Sequence, residues 1–199
     1  APNTWRSLSN FLVSKGYKRE EVIKAGLAVP KEGKEEISSP WDSYDRFRGR
    51  IIFPIFDVHG QVIGFGGRVF GEEEKKEDVA KYINTPNTPL YDKSRVLYGI
   101  DKAKTEIRKR DGAIIVEGYT DVILSHQAGF ENAIAVSGTA LTPYQLRVIS
   151  RYSKNLFLSF DMDVAGETAT KRGIDLAQLL GFNIKIIGRI KRNINKNEV

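Results

Sequence analysis

Acidic residues recur where short apolar runs end. Glu117 directly follows Ala113-Ile114-Ile115-Val116, and Asp121 stands four residues later. Asp161 and Asp163 follow a second apolar run, within Phe160-Asp161-Met162-Asp163-Val164-Ala165-Gly166. Their i, i+2 spacing after a strand turns both carboxylates toward one face. Four carboxylates gathered at one place repel one another. A divalent cation relieves that repulsion, and Mg²⁺ suits carboxylates with water and phosphate completing its octahedron. Each acid has a plainer reading as well. Asp121 alone reads as a helix cap or dipole partner, worth about 0.3–1 kcal/mol. Glu117 fits a cap poorly, because Gly118 follows it and the preceding run reads as a buried strand. As a set on successive strand ends, the acids are best explained by metal binding.

A second constellation is basic. Arg46, Arg48 and Arg50 alternate, so in an extended segment all three side chains point the same way. Arg68 lies on the next strand. Lys81, Tyr82 and Asn84, then Lys93, add cations, an aromatic ring and an amide. A charge run is usually a solvated face. Here, though, arginine is combined with Tyr and Asn, which suits phosphates and unpaired bases.

These residues need elements to hold them. Trp5, Leu8, Phe11 and Leu12 recur at helical spacing after Thr4, a candidate N-cap, and Gly16 stops the run. Lys18 to Ala25 gives a second amphipathic turn ending at Gly26. Leu27 to Asp45, rich in Pro, Ser and charge, reads as loop. Ile51 to Phe56 and Gln61 to Phe70 read as strands joined by the Asp57-Val58-His59-Gly60 turn. Pro54 lacks an N–H, which places its strand at an edge or a bulge. Gly64-Phe65-Gly66-Gly67 opens no helix, so it reads as close backbone packing or a bulge. Glu72 to Asp78 reads as an exposed hairpin tip, and Tyr82 to Tyr98 as an ordered, irregular loop.

From about Asp111 the pattern alternates. Strands are expected at Ala113–Val116, Ala133–Val136, Leu156–Phe160 and Ile184–Ile187. Helices are expected at Tyr119–Ala128 before Gly129, from Thr142-Pro143 to about Tyr152, and at Ala165–Leu180 before Gly181. Short apolar strands alternating with helices imply a largely parallel sheet covered on both faces. Ligands bind such sheets outside the C-terminal strand ends, where the acids stand.

Composition narrows the function. The chain has 199 residues, with 31 Lys and Arg against 25 Asp and Glu, for a formal net charge of +6. With 41% hydrophobic and 28% charged residues it has a globular composition. No apolar run approaches the roughly 18–20 residues of a membrane span. The lack of Cys removes disulfides, thiolate zinc sites and iron–sulfur clusters. Only His59 and His126 are present, so no zinc is expected, and any metal should be a hard cation held by oxygen. Ser137-Gly138-Thr139 has no acid–histidine partnership of the serine-hydrolase kind. The start has no signal-like character, which fits the cytoplasm. Beginning at Ala1, the chain reads as a fragment of something longer.

Several stretches resemble the signatures of bacterial DnaG-type DNA primases. They are Tyr44-Asp45-Arg46-Phe47-Arg48-Gly49-Arg50-Ile51-Ile52-Phe53-Pro54-Ile55, Val62 to Arg68, Lys81-Tyr82-Ile83-Asn84-Thr85-Pro86 and Lys93 to Gly99. Val116-Glu117-Gly118-Tyr119-Thr120-Asp121-Val122 and the segment 160–166 resemble the two acidic motifs of the Toprim fold within that family. The match runs in order from about Trp5 to Ile187. The second half alone would say only Toprim, a fold shared with topoisomerases and some nucleases. The first half selects primase.

The resemblance implies a Toprim-like α/β subdomain at 112–188, preceded by a smaller basic mixed α/β subdomain at 1–111 and followed by a polar tail, 189–199. The site is expected in the groove between the two subdomains. The implied activity is synthesis of short RNA primers from ribonucleoside triphosphates on a single-stranded DNA template. By resemblance, Glu117, Asp121, Asp161 and Asp163 hold Mg²⁺ or Mn²⁺, two or more ions. Arg46, Arg48, Arg50, Arg68, Lys81, Tyr82, Asn84 and Lys93 form the surface for template and nucleotide. The family reaches its helicase partner and its zinc-binding domain through segments not found in this sequence. Met162 stands where the family usually has Gly. The chain continues Gly188-Arg189-Ile190 where the family carries a further Asp-Pro-Asp-like motif, so a truncated core, weakly active or inactive alone, is expected. The alternatives are another metal-dependent Toprim enzyme, a nuclease or topoisomerase, and a non-catalytic nucleic-acid-binding module.

Overall fold

The chain divides into two units, Ala1–Asp101 and Lys102–Val199. The computed structural model describes residues 1–33, 39–71, 79–136, 141–160 and 164–187, and only the backbone of 164–170. The expected hairpin tip, the Ser137-Gly138-Thr139 turn, Asp161, Asp163 and the polar tail therefore lie outside the described residues.

In the first unit, helices α1 (Ser7–Ser14) and α2 (Arg19–Lys24) precede a short antiparallel pair, β1 (Ala28–Pro30) with β2 (Ser43–Asp45). This corrects the loop expected from Leu27 to Asp45. The two ends of that stretch pair with each other, Ala28 opposite Asp45 and Pro30 opposite Ser43. A second correction concerns the start of α1. Its N-cap is Arg6, which caps nothing with its side chain, while the Thr4 hydroxyl bonds that of Ser7. The orphan N–H groups of the first turn are met from β2 instead. The buried Asp45 carboxylate accepts from Leu8 N (2.7 Å), Ser9 N (3.0 Å) and the Ser9 hydroxyl.

A three-stranded antiparallel sheet follows, in the order β3 (Arg50–Phe56), β4 (Val62–Val69), β5 (Tyr82–Asn84). β5 corrects the irregular reading of the 82–98 stretch at its first three residues. Pro54 sits on the edge strand, and the register shifts at Ile55/Phe56. The β3–β4 turn is closed by Asp57 Oδ1, which accepts from His59 N (2.8 Å) and Gln61 N (2.9 Å). Those bonds, Gln61 first, hold the Asp57 carboxyl below the ordinary carboxylate range. The glycines of β4 let rings approach the backbone. A Cβ on Gly64 would come within 2.7 Å of the Tyr91 ring, and one on Gly67 within 2.8 Å of Phe47.

Helix α3 (Ile100–Lys109), for which the sequence reading had no element, buries Ile100, Ala103 and Ile107 at helical spacing. Two residues past its end the chain turns at Asp111, a non-glycine residue at φ +49°. The Asp111 carboxylate accepts there from Ser153 Oγ (2.9 Å) and Asn155 Nδ2 (3.0 Å).

The second unit alternates as expected: β6 (Ala113–Val116), α4 (Tyr119–Gln127), β7 (Ala133–Ala135), α5 (Pro143–Ile149), β8 (Asn155–Leu158), α6 (Val164–Leu179) and β9 (Asn183–Ile186). The four strands are parallel, in the order β7-β6-β8-β9, and helices flank them. Ile115, Ile134, Leu156 and Leu158 are buried, as are Val122, Leu146, Ile149 and Ala177 from the helices. Each of these Ile, Leu and Val side chains contributes roughly 1.5–3 kcal/mol. Thr142 and Gln145 cap α5 reciprocally, Gln145 N to Thr142 Oγ1 at 3.1 Å and Thr142 N to Gln145 Oε1 at 3.0 Å. Helices α4 and α6 stop at Gly129 and Gly181, both at positive φ. In each, the glycine N–H and the next N–H return to the last turn, as Phe130 N does to Ser125 O (2.8 Å).

Candidate functional site

The acids of the second unit belong to its topology. From β6 the chain crosses through α4 to β7 on one side, whereas β8 lies on the other side of β6 and leads through α6 to β9. The strand order therefore reverses between β6 and β8, and a parallel sheet opens a ligand crevice at the C-terminal ends flanking such a reversal. Glu117 is the first residue past β6 and is exposed. Ile115 pairs with Leu158, and Ser159 N donates to Ile115 O (2.9 Å). Two residues further in the same register, Glu117 is level with Phe160, which Asp161 follows in sequence. Neighbouring strands lie about 4.8 Å apart.

Asp121 occupies the first turn of α4 and is exposed. Its Oδ2 accepts from Gly118 N at 2.9 Å, so it caps the helix, the plainer role considered for it. A Cβ on Gly118 would stand 3.3 Å from that oxygen. Among the described residues no group of three or more His, Asp or Glu side chains forms a metal site. Asp161 and Asp163 lie outside them.

The basic candidates separate into two sets. Arg68 pairs directly with Tyr82 across β4 and β5, with its guanidinium 5.7 Å from the Tyr82 ring. Asn84, two residues along, is on the same sheet face. These three are brought together. Lys81, just before β5, is exposed, and its carbonyl accepts from Val69 N (3.1 Å). Lys93 belongs to the loop after β5, where its N–H donates to Asn87 Oδ1 (3.3 Å).

Arg46, Arg48 and Arg50 do not share a face, because residues 46–49 form a turn and only Arg50 lies in a strand. The alternation expected of an extended segment is thereby lost. Arg46 Nε donates to Gly26 O (3.1 Å), and burial lowers its pKa from the ordinary value, partly offset by Tyr44. Arg48 lies over two rings, 4.2 Å from Trp5 and 4.7 Å from Tyr44. Arg50 is only 7% exposed, paired with Val69 on the face opposite Arg68. Its Nη1 reaches Gly67 O (3.4 Å) and Lys81 O (3.3 Å). Burial first, then Arg48, lowers its pKa. A Cβ on Gly67 would stand 3.1 Å from the Arg50 stem.

A family profile described as the N-terminal domain of the DNA primase catalytic core matches residues 1–104, and one described as Toprim-like matches 114–199. The chain belongs to the DnaG-type DNA primase catalytic core family. It is 46% identical to a DNA primase of Clostridium acetobutylicum over 188 residues, which is 94% of this chain and 29% of that protein. It therefore spans about three tenths of that relative's length. The RNA polymerase domain of Mycobacterium tuberculosis primase DnaG superposes with a TM-score of 0.78 at 38% identity, over 94% of this chain and 60% of that one. A DnaG primase catalytic domain bound to single-stranded DNA gives a TM-score of 0.78 at 34% identity, over 95% and 56%.

Within this primase core the sequence motifs and the local geometry assign arginines differently. The motif Arg46 to Arg50 reads as one basic strip, yet in the fold it supplies a backbone clasp, a double ring stack and a buried cation. The signal for Arg50 was available: Gly67 and Phe47 leave room for one long stem beneath the sheet. Membership of the family could not be read as three parallel contacts.

Proposed function

We propose that this chain is part of a catalytic core that joins ribonucleotides into short RNA primers on a single-stranded DNA template, in the cytoplasm. The observation that carries the reading is the strand-order reversal between β6 and β8, with Glu117 exposed directly after β6. It is supported by the primase-specific match of residues 1–104 and by the single-stranded DNA in a related catalytic domain.

The donors fit Mg²⁺ or Mn²⁺. Glu117, Asp121, Asp161 and Asp163 offer carboxylate oxygen only, the chain has no Cys, and Glu117 is exposed just past the end of β6. When bound, such ions supply charge for the triphosphate and ease ionisation of the attacking hydroxyl. The chain's own groups bind and orient. Glu117 reaches from a strand end fixed by the sheet ladder, and Asp121 is held by Gly118 N at the start of α4. Arg68, Tyr82 and Asn84 give one sheet face a cation, a stacking ring and an amide, with Lys81 beside them for a phosphate.

Primer synthesis tests the reading. The chain, and a version extended to the length of the primase cores it matches, are supplied with single-stranded template, the four ribonucleoside triphosphates and Mn²⁺. Short RNA products that vanish with EDTA are expected. An extended core that makes no RNA under these conditions overturns the polymerase assignment.

A further inference from the structure

Strand β5 has only three residues, and so short a pairing specifies its register weakly. A slip by one residue would turn Ile83 to the face of Arg68 and carry Tyr82 and Asn84 to the other. The observed register sets Tyr82 opposite Arg68 and Asn84 opposite Gly66. What holds it lies one residue past the strand. Thr85 is only 3% exposed. Its N–H donates to Phe65 O (2.9 Å), and its hydroxyl accepts from Phe65 N (2.9 Å) and donates to Phe65 O (3.2 Å). The hydroxyl thus serves Phe65 N as the acceptor that a strand carbonyl would otherwise be. A slip that brought Pro86 opposite Phe65 would supply neither an N–H nor a hydroxyl. The Thr85 methyl and the Pro86 ring also lie close against Gly26, where a Cβ would stand 2.9 Å from the methyl and 2.7 Å from the ring.

From this we infer that Thr85 is a positioning residue: its hydroxyl fixes the register of β5 and so keeps Tyr82 and Asn84 on the sheet face of Arg68. Thr85 is buried and acts through the strand before it. The inference rests on the single-strand reading proposed above, in which that face supplies a cation, a stacking ring and an amide. The hydroxyl, rather than the bulk of the side chain, carries the role, because only the hydroxyl bonds to β4.

Binding of a labelled oligo-dT to the 199-residue chain is followed by anisotropy for the parent, Thr85→Val, Thr85→Ser, Tyr82→Ala and the Thr85→Val/Tyr82→Ala double variant. Valine keeps the methyl against Gly26 and removes the hydroxyl, and serine does the reverse. Thr85→Val should weaken binding at least about fivefold, as loss of a stacked ring does, while Thr85→Ser stays within about twofold of the parent. The double variant should bind no more weakly than Tyr82→Ala, since both changes remove one ring from one place. Hydrogen exchange on Thr85→Val should quicken at residues 82–85 with the β3–β4 amides still protected. Losses that multiply in the double variant overturn the inference and leave the single-strand reading standing. Parent-like binding by either Thr85→Val or Tyr82→Ala does the same. Loss of β3–β4 protection in Thr85→Val also overturns it, because Thr85 would then support the whole unit. A parent chain that leaves the anisotropy unchanged removes both.

Discussion

At the scale of residues, neighbours in one motif do different work. Lys81 presents its side chain to solvent, whereas Arg50 reaches the Lys81 carbonyl from beneath the sheet. Lys81→Ala should lower single-stranded DNA affinity and reduce the salt slope by about 0.7, the share of one phosphate contact. An unaltered slope takes Lys81 off the strand path. Arg50→Ala should act on stability instead, by about 1.5–3 kcal/mol for hydrogen bonds from a charged donor, read as a lower urea midpoint. A normal midpoint with a reduced slope would return Arg50 to the nucleic-acid surface. Tyr91 is 1% exposed, and burial, then Asp92, pushes its pKa up to about 12. Its stabilising contribution is intact below the unfolded pKa near 10 and is lost as pH rises toward 12. The parent should lose roughly 2–3 kcal/mol more than Tyr91→Phe over that interval. Parallel stability–pH curves for the two proteins would contradict the burial argument.

At the scale of elements, legibility followed the length and locality of each signal. Strands β6 to β9 and their helices could be read from apolar runs punctuated by glycine and by Thr142-Pro143, because each signal lies inside its own element. The β1–β2 pair could not. Its strands are three residues each, Pro30 ends one of them, and their partners are set by tertiary contact rather than by alternation. The same holds for β5, whose three residues count as a strand only because β4 pairs with them. The α1 cap was misread at Thr4 because the acceptor comes from Asp45, far along the chain. Asp45→Ala should therefore destabilise the first unit by about 0.5–2 kcal/mol, as loss of a cap does, with Thr4→Ala close to neutral in the same denaturant titration. Equal effects would restore Thr4 as the cap. Gly67→Ala should cost about 1–3 kcal/mol through overpacking against Phe47 and the Arg50 stem.

At the scale of the whole molecule, the acids could be named from sequence because a carboxylate after a buried strand is conspicuous. Their relation could not, since strand order is a property of the sheet and not of any one motif. The reversal between β6 and β8 sets the ends of those two strands side by side, and the proposed chemistry requires the acids after each of them to share one ion. Calorimetric titration with Mn²⁺ tests it most directly, on the parent chain and on Glu117→Gln, Asp161→Asn and Asp163→Asn. The parent should bind Mn²⁺, and Glu117→Gln and Asp161→Asn should each weaken it by about tenfold or more, roughly 1.4 kcal/mol. Parent-like affinity in both of those variants would contradict a shared metal site at this sheet edge.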